Sequence, residues 1–156
     1  MYFDFFKNET PGEREIIWSL REHGYHVDDV SGDPAFWTKD VDLLVNPIFP
    51  NIGEDVVSSI EVKWDRRFAE TGNLFIEVEN PRSIGGMGWF EFCEADYLAY
   101  GDAINRIFYF FKVSDLKNYI YESKNDLRSR RTYDGSVGYL VPLSDISALI
   151  VGTLKV

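Results

Sequence analysis

A chain of 156 residues is long enough for one domain with a substantial core, and its 45% hydrophobic and 16% aromatic content excludes a disordered tract. Lys and Arg number 16 against 26 Asp and Glu, a net charge of −10, opposite in sign to the basic surface by which proteins usually hold nucleic-acid backbones. No apolar run reaches the roughly 18–20 residues of a membrane-spanning helix, and Cys93 as sole cysteine excludes an internal disulfide.

The opening MYFDFFKNETPGERE mixes aromatic and charged residues and lacks the basic start and apolar stretch of a secretory leader. With one cysteine, this leads us to expect a reducing, cytoplasmic setting. The first element is announced by Thr10-Pro11-Gly12-Glu13: Thr10 suits an N-cap, Pro11 the first helical position, and Glu13 the reciprocal place of a capping box. Ile16, Ile17 and Leu20 follow at helical spacing and Gly24 is a stop, predicting a helix over about 11–23. Residues 25–30 read as a short strand, and Gly32-Asp33-Pro34 breaks the chain. Val41-Asp42-Leu43-Leu44-Val45 reads as a second strand, ended by Asn46-Pro47 and followed by a loop to Glu54.

Residues 56–64 read as a third strand, whose alternation sets Ile60, Val62 and Trp64 on one face and Glu61, Lys63 and Asp65 on the other. Residues 73–80 repeat the pattern, with Leu74, Ile76 and Val78 opposite Phe75, Glu77 and Glu79. Gly85-Gly86-Met87-Gly88 reads as a loop, followed by a short helix at about 89–95 and a strand at 97–100. Residues 107–112 are apolar and β-prone, and Ser114 can cap a helix at about 115–122. A polar loop is expected to about Ser136, then a strand near 137–141 and a tail of either helix or strand. The order of elements predicts an α/β or α+β fold with helices packed on a central mixed sheet.

Metal-assisted phosphodiester hydrolysis needs hard oxygen ligands for Mg²⁺ or Mn²⁺, a polarised phosphate, and a cation beside the nucleophile. A carboxylate and a lysine two residues apart on a strand point to the same side, and Glu61-Val62-Lys63 has this form. Asp42, about 19 residues before Glu61, supplies a second carboxylate; Asp40 shares its face and is a rival. Asp65 shares the Glu61 face, and Glu77 could reach the same site from the next strand.

The ordered set Glu13-Arg14-Glu15-Ile16-Ile17 on a helix, Val41-Asp42-Leu43-Leu44-Val45, and Ser59-Ile60-Glu61-Val62-Lys63 resembles the PD-(D/E)xK nuclease superfamily, with the nearest likeness to its archaeal Holliday-junction resolvases. The likeness covers roughly residues 10–65, with longer loops before Asp42 and Glu61. The second half, with Gly88-Trp89 and Ala95-Asp96-Tyr97, looks more like small phage-type nucleases of the same superfamily, which would place the protein in a host cytoplasm. The resemblance implies a restriction-endonuclease-like αβββαβ core as a single domain over residues 1–156. It implies a catalytic site of Glu13, Asp42, Glu61 and Lys63, with the three carboxylates holding Mg²⁺ or Mn²⁺, and DNA as substrate, branched or otherwise structured. Junction resolution would call for a homodimer. An alternative is a non-catalytic nucleic-acid- or protein-binding module on the same fold, which the net charge favours.

Other residues carry two readings each. Glu13 can serve the capping box as well as a metal. Trp89 and Phe90, after the glycine loop, can anchor the core or offer a stacking surface for a base. Lys124, Arg128, Arg130 and Arg131 form the basic cluster of the chain, either a solvated run or a phosphate contact, and Arg66 and Arg67 follow the site strand where they too could meet phosphate. His23 and His26 read as structural or surface residues and Cys93 as a packed one.

Overall fold

The computed structural model describes residues 11–46 and 57–156. Thr10, the loop after Asn46 and the expected strand start at Val56 lie outside the described residues. The first helix, α1 (Pro11–Glu22), carries Pro11 at its start and turns its Ile16, Ile17 and Leu20 stripe inward, as the spacing requires. A meander follows: β1 (His26–Asp29), a single turn of helix α2 (Pro34–Trp37), β2 (Leu43–Asn46) and β3 (Ser58–Asp65). Gly32-Asp33-Pro34 does more than break the chain, because the Asp33 carboxylate accepts from the Ala35 N–H at 2.9 Å and caps α2.

The chain then leaves this sheet through α3 (Phe68–Thr71), β4 (Asn73–Glu79) and α4 (Trp89–Phe92), and returns as β5 (Tyr97–Asp102), which pairs parallel to β3. After β6 (Ile107–Lys112) come α5 (Val113–Ser123), β7 (Arg128–Arg131), β8 (Val137–Pro142), α6 (Leu143–Ile146) and β9 (Ile150–Lys155). Two sheets result. The larger has strand order β1-β2-β3-β5-β6-β9, and the smaller β4-β8-β7. The larger sheet is mixed: β3 and β5 are parallel, its other neighbours antiparallel.

Each face of the larger sheet is covered. On one, Ile16, Ile17 and Leu20 of α1 pack with Leu43, Ile60, Val62 and Phe108. On the other, Leu98 and Phe111 meet Leu74, Ile76 and Val141 of the smaller sheet and Leu116 and Ile120 of α5. Strand β5 is buried along its whole length, as a strand covered on both faces must be.

The structure corrects several expectations. The polar loop expected to Ser136 contains β7, an exposed edge strand of Arg128, Ser129, Arg130 and Arg131. Its charge suits an edge that must not pair further. Strand β4 does not continue the site sheet beside β3; it starts the smaller sheet, so Glu77 is not on a neighbouring strand. Helix α5 begins at Val113 with Lys112 in the cap position, and Ser114 lies inside its first turn. The tail is both a short helix and a strand.

Candidate active site

Strands β2 and β3 stop pairing at Leu43 and Ile60, while β3 continues to Asp65 alongside β5. Among the described residues, the second half of β3 therefore has an open edge toward β2. An N–H left bare on that edge would cost about 1–3 kcal/mol. The Asp42 carboxylate meets it, accepting from the Val62 N–H at 2.8 Å. The Asp42 backbone still belongs to the ladder, donating to Ile60 O at 2.9 Å and accepting from the Val30 N–H at 2.8 Å.

Glu61 and Lys63 point away from α1, as alternation dictates. Glu61 is 3% exposed, and one of its oxygens pairs with the Lys63 ammonium. The other, Oε2, is buried without a hydrogen-bond partner among the described residues, and so is Oδ2 of Asp40. Asp40 has a φ of 52°, in the left-handed region that side chains other than Gly, Asn and Asp seldom occupy. The segment after α4 pins it there: the Glu94 N–H donates to Lys39 O at 2.8 Å, and the Cys93 thiol approaches Asp40 O at 3.7 Å.

The proton affinities of the three groups follow from their crowding. Burial lifts Asp40 from the ordinary 3.8 to about 6; the Lys63 ammonium opposes that rise and the carboxylates of Asp42 and Glu77 reinforce it. Burial likewise raises Glu61 well above the usual carboxylate range, more than its lysine partner offsets. Burial works against the charge of Lys63, but Glu61, Asp40 and Asp42 outweigh it and hold the ammonium above its ordinary value. The Cys93 thiol, pushed up to about 12 by burial, is inert packing, as the sequence suggested.

Glu13, Asp40, Asp42, Glu61 and Lys63 line one cleft of about 420 Å³. The four residues singled out by sequence are thus brought together, and Asp40 joins them. Glu13 arrives from α1 around the open edge, which requires α1 to lie flush on Trp64: a Cβ on Gly12 would stand 2.5 Å from that of Trp64. The Trp64 ring in turn stacks on Phe108 at 5.0 Å and occupies the space over Gly101.

Lys63 also lines a second, larger cleft of about 520 Å³, with Arg66, Arg67, Trp89 and Arg130. Its ammonium lies 4.5 Å from the centre of the Trp89 ring. Asp65 belongs to this cleft and not to the carboxylate cluster; it accepts from Tyr100 Oη at 2.5 Å and from the Arg67 N–H at 2.7 Å. Glu77 does not line the carboxylate cleft, though it is near enough to repel Asp40; its Oε1 accepts from the Trp89 N–H at 3.4 Å. Of the basic cluster, Arg130 alone reaches the larger cleft. Lys124 lines a separate cavity with Lys117, and Arg131 donates to Gly135 O at 3.1 Å. Sequence reasoning missed Tyr133, an exposed ring at the β7–β8 turn that also lines the larger cleft. The only signal for it was an aromatic residue inside a turn-forming Thr132-Tyr133-Asp134-Gly135.

Among the described residues, no three His, Cys, Asp or Glu side chains are gathered tightly enough to hold a metal ion as they stand. The chemistry of the donors nevertheless fits one. Buried carboxylate oxygens without partners, Asp40 Oδ2 and Glu61 Oε2, are costly, and hard oxygens are what Mg²⁺ or Mn²⁺ requires. Compared with models of known protein families, with curated proteins and with solved structures, the chain matches none.

Proposed function

We propose that the protein is a divalent-metal-dependent endonuclease acting on DNA, built on a restriction-endonuclease-like core. The observation that carries this reading is the pairing of buried Glu61 with half-buried Lys63, which faces Asp40 and Asp42 in one cleft and leaves carboxylate oxygens unsatisfied among the described residues. An α1 helix, an antiparallel β1-β2-β3 meander and a crossover to the parallel β5 support the fold assignment.

Asp42, Glu61 and Asp40 would hold the cation, with Glu13 contributing directly or through a water. The bound metal would supply Lewis acidity to the scissile phosphate and a more acidic water. Lys63 is the resident cation: its ammonium donates toward the attacking water and the phosphate and offsets the charge that builds there. Asp42 fixes the register of the cluster by its bond to the Val62 N–H. Asp40 keeps its proton up to about pH 6 and is ionised above that, ready to ligate. Structured DNA as substrate and a homodimer as the working unit are part of the same proposal.

A non-catalytic binding module is the second reading, favoured by the net charge of −10. Incubation of the purified chain with linear, nicked, flapped and four-way DNA in Mg²⁺ or Mn²⁺ separates the two. Cleavage that is lost with Asp42→Asn and Glu61→Gln supports the nuclease. No cleavage of any form in Mn²⁺ overturns it in favour of the binding module.

A further inference from the structure

The larger cleft beside Lys63 is left unused by the chemistry above, and it combines two features that suit one class of ligand. Among the described residues, its charged lining is Lys63, Arg66, Arg67 and Arg130 against a single carboxylate, Asp65, which is already engaged by Tyr100 Oη and the Arg67 N–H. In a chain of net charge −10 this is a local reversal of sign. Aromatic rings line the same cleft. Trp89 lies at the boundary with the carboxylate cleft, and Tyr133 stands fully exposed at 109% on the β7–β8 turn, where it has no core to join. Cations for phosphate and π faces for bases are the composition of a single-strand nucleic-acid site. The volume of about 520 Å³ falls within the roughly 300–1,000 Å³ of small-ligand sites. It suits one nucleotide and not a duplex, whose stacked bases offer no free face.

The geometry points to a subsite for one unpaired nucleotide of a DNA strand, its base against Tyr133 and Trp89 and its phosphate among Arg66, Arg67 and Arg130, next to the bond cut at Lys63. The identity of the strand rests on the nuclease reading. The subsite narrows the substrate to DNA with a single-stranded, gapped or extrudable nucleotide beside the scissile phosphate. Extrusion costs least where the base is already unpaired, so the subsite itself would select such sites.

The test uses the full chain in EDTA, with a single strand carrying one 2-aminopurine, the same strand in a one-nucleotide gap, and a blunt duplex. Binding is followed by anisotropy and stacking by 2-aminopurine emission. Single-stranded and gapped DNA are expected to bind at least about tenfold more tightly than the duplex, with quenched emission. Tyr133→Ala should weaken that binding about tenfold and relieve the quenching, whereas Tyr133→Phe should retain both. Replacing Arg66 and Arg67 together by Ala should flatten the salt dependence. Equal affinity for blunt duplex, or unchanged quenching in Tyr133→Ala, overturns the subsite. A parallel cleavage assay in Mn²⁺ keeps the two readings apart. Cleavage without preference for unpaired DNA overturns the subsite and leaves the nuclease. Preference and quenching without cleavage overturn the nuclease and leave the subsite.

Discussion

Lys63 is the residue on which both clefts depend, since it pairs with buried Glu61 on one side and lies over Trp89 on the other. Lys63→Ala is expected to reduce cleavage about 10²–10³-fold, the usual cost of one preorganised donor, while metal-dependent thermal stabilisation persists because the carboxylates remain. Single-turnover cleavage and melting with Mn²⁺ check the division; full cleavage by the variant would remove Lys63 from the chemistry. Asp40 makes a prediction of unusual sign. Its folded carboxyl holds a proton up to about 6 against an ordinary 3.8, so the folded state binds that proton more tightly than the unfolded chain. The stability it contributes is fully present below about 3.8 and is lost as pH rises through about 6. Without divalent metal, the melting temperature of the wild type should fall relative to that of Asp40→Asn between these limits. Parallel curves would place Asp40 in a more polar setting. Sequence put Asp42 forward with Asp40 as its rival, because period 2 sets them on one face. What separates them is the end of the β2–β3 pairing at Leu43 and Ile60, which gives Asp42 the Val62 N–H to serve and leaves Asp40 Oδ2 bare.

At the scale of elements, α1 and β3 were legible because their patterns are local: a 3.6-residue apolar stripe and a strict alternation. The contact that joins them was not, since it depends on two side-chain-free positions, Gly12 and Gly101, that leave room for Trp64. Gly12→Ala should lower stability by about 1–3 kcal/mol through overpacking and displace Glu13 with the helix. Gly32→Ala is the control, since nothing lies within 4 Å of the added methyl and its backbone is not left-handed. Equal urea midpoints for the two variants would contradict the close approach. Strand β7 was illegible for a different reason. Four exposed polar residues have no apolar face to betray a strand, and only pairing with β8 creates one. That pairing also divides the arginines, for Arg130 lines the larger cleft and Arg128 and Arg131 do not. Arg130→Ala should therefore reduce the slope of log K against log salt by about one, with little change for Arg128→Ala or Arg131→Ala. Identical slopes for all three would return the cluster to a diffuse charge effect.

At the scale of the molecule, the net charge of −10 ceases to conflict with a nucleic-acid ligand once charge is assigned to place, because cations gather around the larger cleft and carboxylates around the smaller. The mixed character of the sheet was readable from the order of elements, but the second sheet was not, since β4 finds its partner β8 only after α4, β5, β6, α5 and β7 have intervened. The same long-range closure governs the site strand. Strand β3 gains its parallel neighbour only when the chain returns at Tyr97, and long-range pairings of this kind form late. The β3 amides directed at β5 should thus exchange with solvent only on global unfolding, whereas those of β7 exchange from local opening; comparable protection of the two sets would argue otherwise. During synthesis, Glu61 and Lys63 emerge from the ribosome ahead of residues 97–102, the strand that pairs beside them. A nascent chain therefore has no assembled carboxylate–lysine cluster, and the proposed cutting activity would arrive all at once, with the closing of the sheet.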